Sequence, residues 1–257
     1  MIRRLILLLF LFRGFNSTGA TVDSVMIYSK AMQKEFRCVV IIPIETQNKT
    51  VPFPVVYLLH GFSGSCNNWI NHLPELKQYA DEYKMMIVCP DGGYSSWYID
   101  SPVDSTIKYE TYISKEVPLY IESNYPVFQQ RNGRAVTGLS MGRYGGLFLG
   151  FRNSEFYGAC GSMSGGVDLD FSRNKFDVMK RIGDTIKYAE NWKKYSVTNI
   201  VENLPAEKLT IIIDCGTEDI FYQNNHELHK KMIRLRIPHE YIERPGKHDW
   251  DYWRNAV

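Results

Sequence analysis

Apolar residues fall along this chain in short runs separated by longer stretches of helical spacing, and that alternation sets the expectation for the fold. Val22 to Ser29 and Phe36 to Pro43 alternate or run apolar in the manner of strands. The polar break Lys30 to Glu35 lies between them, which predicts an antiparallel edge hairpin. After a turn at Glu45 to Thr50, Val55 to Leu59 is continuously apolar, as a strand buried on both faces should be. Met85 to Cys89, Arg134 to Thr137, Gly158 to Met163, Leu209 to Cys215 and His239 to Ile242 extend the series. Asn68 to Tyr83 carries Trp69, Ile70, Leu73, Leu76, Tyr79 and Tyr83 at mostly helical spacing and predicts one helix in spite of Pro74. Tyr109 to Tyr125, Tyr144 to Phe151 and Asn225 to Leu235 predict three more, and another begins at Trp250. Strands that alternate with helices imply an α/β fold, a mostly parallel central sheet with helices on both faces. Ligands then belong beyond the carboxyl ends of the strands. A polar, aromatic-dotted stretch, Asp168 to Glu207, breaks the rhythm and reads as an insertion over that edge. No repeat or linker divides the rest, so residues 21–257 read as one domain.

Chemistry is concentrated where the run Arg134 to Thr137 meets Gly138 Leu139 Ser140 Met141 Gly142. A strand, a Gly-x-Ser-x-Gly turn and a packed helix are the context of a nucleophile elbow, with the glycines giving clearance to a strained serine. The five letters alone also fit a glycine-rich turn capped by serine, so the rest of the chain has to supply a base, an acid and oxyanion donors.

Several reactive groups fall just past predicted strand ends: His60 Gly61 Phe62, Asp91, Ser140, the pair Glu218 and Asp219, and His248. A serine hydroxyl needs a base to take its proton, and the base needs a carboxylate to fix its tautomer. His248, on the glycine-bearing loop Pro245 to Trp250, is the best-placed base. Asp214, Glu218 and Asp219 compete as the carboxylate. Asp214 lies within the strand, where it should be buried or point sideways, and residues past Gly216 are freer to reach a histidine. The N–H of Met141, at the start of the elbow helix, and that of Phe62 are the expected oxyanion donors. His60 reads as a brace of its glycine turn on the substrate side. Trp97 and Tyr98, in the aromatic loop from Tyr94, read as substrate contacts, against plain packing. His226 and His229, three apart on a predicted helix, lack the carboxylates of a metal set, so no metal or other cofactor is expected.

Composition narrows the class without changing this picture. With 257 residues, 44% hydrophobic and 23% charged, the chain can bury a full core and is neither disordered nor fibrous in character. Met1 Ile2 Arg3 Arg4, the apolar run Leu5 to Phe12 and the small residues ending at Ala20 have the order of a secretory signal peptide. A buried first helix is the competing reading. The run is too short for a membrane anchor, and the expected location is secreted or periplasmic. Removing residues 1–20 takes Arg3, Arg4 and Arg13 and no acid, so the formal charge goes from +2, less three cations, to −1. A near-neutral protein has no electrostatic reason to seek nucleic acid. The five cysteines are widely spaced and fit neither a disulfide framework nor a zinc site. Buried free thiols are the default, with one bridge as the alternative.

From about Val22 to Trp253 the assembled motifs resemble the esterase D family of α/β-hydrolases, which includes tributyrin-type and feruloyl esterases, S-formylglutathione hydrolases and mycolyltransferases. The likeness rests on Leu58 to Phe62, Pro90 to Gly93, Gly138 to Gly142, Asp214 to Asp219 and Gly246 to Trp253. It implies the α/β-hydrolase fold, Ser140 as nucleophile, His248 as base, Phe62 and Met141 as oxyanion donors and Asp219, over Glu218, as the acid. Two departures stand out. Arg143 replaces a glycine common in the family, as a substrate contact or a surface residue, and the last helix is short. The implied function is a serine carboxylesterase acting on a small ester or an esterified polysaccharide, such as feruloyl or acetyl esters of plant cell walls. Acyl transfer to a sugar hydroxyl by the same centre, or a silent hydrolase fold that binds carbohydrate, are the alternatives.

Overall fold

The computed structural model describes residues 19–45, 51–165, 167–205 and 209–257. The leader expected at residues 1–20 lies outside them except for Gly19 and Ala20, as does the turn at residues 45–50 except for Glu45. Among the described residues eight strands form one sheet: β1 (Thr21–Ser29), β2 (Lys34–Ile42), β3 (Val55–Leu59), β4 (Met86–Pro90), β5 (Arg134–Gly138), β6 (Ala159–Met163), β7 (Thr210–Gly216) and β8 (Glu240–Arg244). Their order is β1-β2-β4-β3-β5-β6-β7-β8. The hairpin β1-β2 and the join of β2 to β4 are antiparallel, and every pairing from β4 to β8 is parallel. This is the α/β-hydrolase architecture, a mostly parallel sheet covered on both faces.

Among the described residues ten α-helices clothe the sheet: α1 (Asn68–His72), α2 (Leu76–Glu82), α3 (Tyr109–Thr111), α4 (Val117–Asn124), α5 (Met141–Arg152), α6 (Val178–Ile182), α7 (Ala189–Tyr195), α8 (Val197–Ile200), α9 (Tyr222–Arg234) and α10 (Trp250–Ala256). Alternation along β3 shows why its run is apolar throughout. Val55, Tyr57 and Leu59 join the large core with α3 to α9, while Leu58 joins the smaller core with Trp69, Leu76, Tyr252 and Trp253 of α1, α2 and α10. The single helix expected over Asn68–Tyr83 is two, because Pro74 excludes the helical conformation at Leu73, which sits at φ −138° and ψ 73°. A π-turn at Tyr112–Glu116 links α3 to α4, so the expected helix over Tyr109–Tyr125 is continuous in course but not in hydrogen bonding.

Within the stretch 168–207, residues 168–205 fold into α6, α7, α8 and short 3₁₀ turns, tied to the loop after β4. Trp97 Nε1 donates to the Phe176 carbonyl at 2.8 Å and Arg181 Nε donates to that of Ser95 at 2.8 Å. Tyr144 of α5 donates to the Tyr195 carbonyl at 2.6 Å. The insertion is thereby fastened beside the carboxyl end of the sheet. Among the described residues no helix is long and apolar enough to cross a membrane.

Candidate active site

Ser140 joins β5 to α5 at φ 53° and ψ −116°, a backbone shape that costs free energy for any residue with a β-carbon. The surroundings enforce it. Leu139 N–H donates to the Leu59 carbonyl and Ser140 N–H to that of Met163, both at 3.3 Å, so the turn is pinned between the ends of β3 and β6. A β-carbon on Gly138 would stand 2.5 Å from the Leu59 carbonyl oxygen, and one on Gly142 would stand 2.5 Å from that of His60. Only glycine admits this approach.

His248 reaches the elbow from the loop after β8. Its Nε2 lies 3.0 Å from Ser140 Oγ and its Nδ1 lies 2.9 Å from Asp219 Oδ2. With Nδ1–H donating to the carboxylate, Nε2 is left as the acceptor for the serine hydroxyl. The Asp219 side chain is fully buried, and its other oxygen accepts the Phe221 N–H at 2.8 Å. Burial works to raise its pKa, but the hydrogen bond and charge of His248, the Phe221 N–H and the Arg143 cation together hold it below the ordinary carboxylate value. The imidazole sits between the edges of Phe221 and Trp253, with ring centroids 5.2 and 5.0 Å away. The short α10, through Trp253, therefore packs directly on the histidine.

The other two carboxylates are engaged elsewhere. Asp214 is buried and accepts from Tyr252 Oη and the Arg244 guanidinium. Glu218 is exposed, 3.9 Å from Lys247 Nζ.

On the opposite side of Ser140 lies the turn His60 Gly61 Phe62. Gly61 stands so near that a β-carbon on it would be 3.3 Å from that of Ser140. The Phe62 N–H thus leaves a turn packed on the serine, and the Met141 N–H opens α5, where the first N–H groups of a helix have no partner inside it. His60, expected as a brace on the substrate side, is that brace but lies in the core, and the expected substrate contacts Trp97 and Tyr98 are corrected. His60 is 1% exposed, with Nδ1 on the Gly61 carbonyl and Nε2 accepting the Gly92 N–H, both at 2.8 Å. Burial pushes its pKa down, against the Gly61 hydrogen bond and Asp91, so it is a neutral brace. Trp97 and Tyr98 are 2% and 0% exposed, because positive φ at both turns their rings into the core, where Tyr98 Oη donates to the His60 carbonyl at 2.8 Å. Buried side chains with their polar atoms spent cannot meet a ligand.

The aromatic rim joins Phe62 and Tyr94, both expected near the site, to residues that the spacing argument passed over. Phe62 meets Tyr94 and Phe176 edge to face, at 5.0 and 5.3 Å, and Phe171 meets Phe221 beside His248 at 5.0 Å. Phe171 and Phe176 come from the insertion, whose aromatic content was the available signal. Arg143 is neither a substrate contact nor on the surface: it is fully buried beneath the elbow, with Nε on Ser162 Oγ at 2.5 Å. His226 pairs with Glu243, and His229 with His239. Among the described residues no group of three or more His, Cys, Asp or Glu side chains is placed to hold a metal. All five cysteines are free and buried.

The chain matches the family model described as putative esterase over residues 29–257. It belongs to that esterase family. It is accordingly a carboxylic ester hydrolase, as its relatives indicate. This esterase is 27% identical to an acetyl esterase of Caldicellulosiruptor saccharolyticus over 252 residues, 90% of this chain and 92% of that one. It is 25% identical over 280 residues to a diacylglycerol acyltransferase/mycolyltransferase of Mycobacterium gordonae, 95% of this chain and 80% of that one. A solved ferulic acid esterase superposes with a TM-score of 0.79 at 28% identity, over 92% of this chain and 94% of the other.

Proposed function

We propose that this esterase cleaves carboxylic esters through an acyl-enzyme on Ser140, and that its substrates are feruloyl or acetyl esters of extracellular plant polysaccharide. The observation that carries the reading is the unbroken hydrogen-bond line from Ser140 Oγ through His248 to Asp219, 3.0 and 2.9 Å long. In this scheme Ser140 Oγ attacks the ester carbonyl as His248 Nε2 takes its proton. Asp219 holds the tautomer and stabilises the imidazolium. The Phe62 and Met141 N–H groups receive the developing oxyanion. The protonated ring then gives its proton to the leaving alcohol, and water, activated by the same nitrogen, releases the acid. No step calls for a metal or an organic cofactor.

The acetyl esterase and ferulic acid esterase likenesses, together with the rim of Phe62, Tyr94, Phe171 and Phe176, support this substrate class. The leader-like residues 1–20 support export, secreted or periplasmic. The mycolyltransferase likeness favours one second reading, in which a sugar hydroxyl replaces water in the last step.

The test is acylation. Mixed with p-nitrophenyl acetate, the enzyme should release a burst of nitrophenol and gain one acetyl group on the peptide that carries Ser140. Ser140→Ala should do neither, and wild-type turnover in that variant would overturn the assignment. Product analysis with an added sugar separates hydrolysis from transfer.

A further inference from the structure

His229 lies on α9 and His239 immediately precedes β8, and Nδ1 of the first stands 2.8 Å from Nε2 of the second. Sequence spacing pairs His229 with His226 on its own helix, whereas the fold pairs it across to the last strand. His239 is fixed through its other nitrogen. Its Nδ1 donates to the Ile237 carbonyl at 2.8 Å, which leaves Nε2 with a lone pair in the neutral ring. The His229 Nδ1–H is therefore the donor between the two rings. His229 is fixed by stacking, its ring 4.1 Å from that of Tyr241 and 11° from parallel. Both imidazoles are half-buried, so water reaches the pair without dissolving it.

Two imidazole nitrogens held this close are also placed to share a cation. Ligands about 2.0–2.1 Å from one ion and at right angles to each other stand about 2.9 Å apart, close to the separation found here, whereas the tetrahedral angle of zinc asks for about 3.3 Å. Right angles belong to tetragonal ions such as Ni²⁺ and Cu²⁺. A backbone carbonyl on the second nitrogen, as His239 has in Ile237, is the support that orients a ligating histidine. Burial and the neighbouring rings of His239 and His226 hold the His229 pKa below its ordinary value, against Glu243, so that ring is uncharged near pH 7. His226, with its centroid 6.3 Å from that of His229, is spent on Glu243, its Nδ1 3.2 Å from Oε1. Among the described residues no third side chain converges on the pair.

We propose that His229 and His239 form a two-imidazole site for a divalent ion of tetragonal preference, Ni²⁺ or Cu²⁺, which clamps α9 to β8. On binding, the proton on His229 Nδ1 leaves and His229 Nε2 takes one from water, so the ring stays neutral, the two facing lone pairs go to the metal and water completes its coordination. The clamp joins the elements that border the acid and the base, since α9 starts three residues after Asp219 and β8 ends four residues before His248. The ion is a structural tie outside the ester chemistry, and the inference stands whether or not the roles proposed for Ser140, Asp219 and His248 hold.

The test is the melting temperature of the untagged chain with and without Ni²⁺. In about 1 mM Ni²⁺ it should rise by roughly 3–10 °C, the shift that a ligand about ten- to a hundredfold above its dissociation constant gives a domain of this size, and it should return when EDTA is added. His229→Gln and His239→Gln should each lose the rise, and His226→Gln should keep it. The electron paramagnetic resonance spectrum of the wild-type chain with one equivalent of Cu²⁺ should show coupling to two imidazole nitrogens. All five thiols are buried, so the copper meets no exposed sulfur. No rise in the wild type, a rise that survives in His229→Gln or His239→Gln, or one lost equally in His226→Gln overturns the proposal. A copper spectrum with fewer than two imidazole nitrogens overturns it as well, and that spectrum decides alone should a variant fail to fold.

Discussion

Asp214 and Asp219 lie five residues apart at the carboxyl end of β7, both nearly sealed from water, and they hold opposite kinds of position. Asp214, still within the strand, faces α10 and the end of β8, where Tyr252 and Arg244 take both of its oxygens. Asp219 lies past the turn closed by its own N–H on the Gly216 carbonyl, at 3.1 Å, and faces the elbow. One carboxylate welds the last strand and helix to the sheet. The other aims a histidine. Burial is the same and the partners differ, so the chemistry available to each is set by where the strand stops.

The comparison breaks most sharply in Asp219→Asn. The amide has nearly the shape of the carboxylate, but it can offer an N–H toward Nδ1, which places the imidazole proton on Nε2 and removes the acceptor that Ser140 needs. The kcat should fall by about 10⁴-fold with little change in melting temperature, as for a buried acid whose role is to fix a tautomer. Steady-state kinetics beside a thermal melt measure both. Asp214→Asn should do the reverse. Breaking a fully buried pair by removing one partner costs about 3–5 kcal/mol, but Arg244 is 36% exposed, so roughly 2 kcal/mol is expected, lowering the melting temperature by about 4–8 °C. The plateau kcat of the folded protein should stay within about threefold, because no hydrogen bond of Ser140, His248 or Asp219 is removed. A 10⁴-fold loss in Asp214→Asn would exchange the two roles.

This division marks where sequence reading stops. The strands were legible because short apolar runs have one good burial, between two layers of helices, and the parallel order followed from their alternation with helices. Ser140 and His248 were legible because a glycine-flanked serine and a glycine-bearing loop each have few local explanations. The choice among Asp214, Glu218 and Asp219 was not, since it depends on a turn of three residues whose direction is decided by Gly216 packing on the Gly246 carbonyl, thirty positions away. Family likeness supplied it. Trp97 and Tyr98 were placed in the correct loop with their rings on the wrong side, because two successive positive φ angles reverse the direction that alternation implies. Arg143 was misjudged for a similar reason. The groups that accommodate it come from β6, β7 and α9, and nothing within its own helix announces them.

A smaller effect tests the rim. Phe176 packs on Phe62 at the oxyanion side, and Phe171 on Phe221 at the histidine side, so the two flank the serine from opposite walls. If an aromatic acid lies between them, Phe171→Ala or Phe176→Ala should lower kcat/KM for methyl ferulate about 3- to 10-fold, the worth of one aromatic contact, and change that for p-nitrophenyl acetate by less than half as much. Equal losses on both esters would make these rings supports of the loops and not substrate contacts.

The smallest expected effect is the most exacting check on the choice of acid. Glu218 is adjacent to Asp219 in sequence and carries the same charge, yet it lies in water opposite Lys247, both side chains more than half exposed. Solvent screens such a pair almost completely, and a free carboxylate on that side of the backbone has no path to the imidazole. Glu218→Gln should therefore leave kcat/KM within about twofold and stability within about 0.5 kcal/mol of wild type. Measured beside Asp219→Asn, it removes one negative charge from nearly the same place, so a general electrostatic effect of charge near the site would appear in both variants. A large loss confined to Asp219→Asn comes from the hydrogen bond and the buried charge that this carboxylate presents to Nδ1, whereas a comparable loss in Glu218→Gln would mean that this loop turns the other way when the enzyme works.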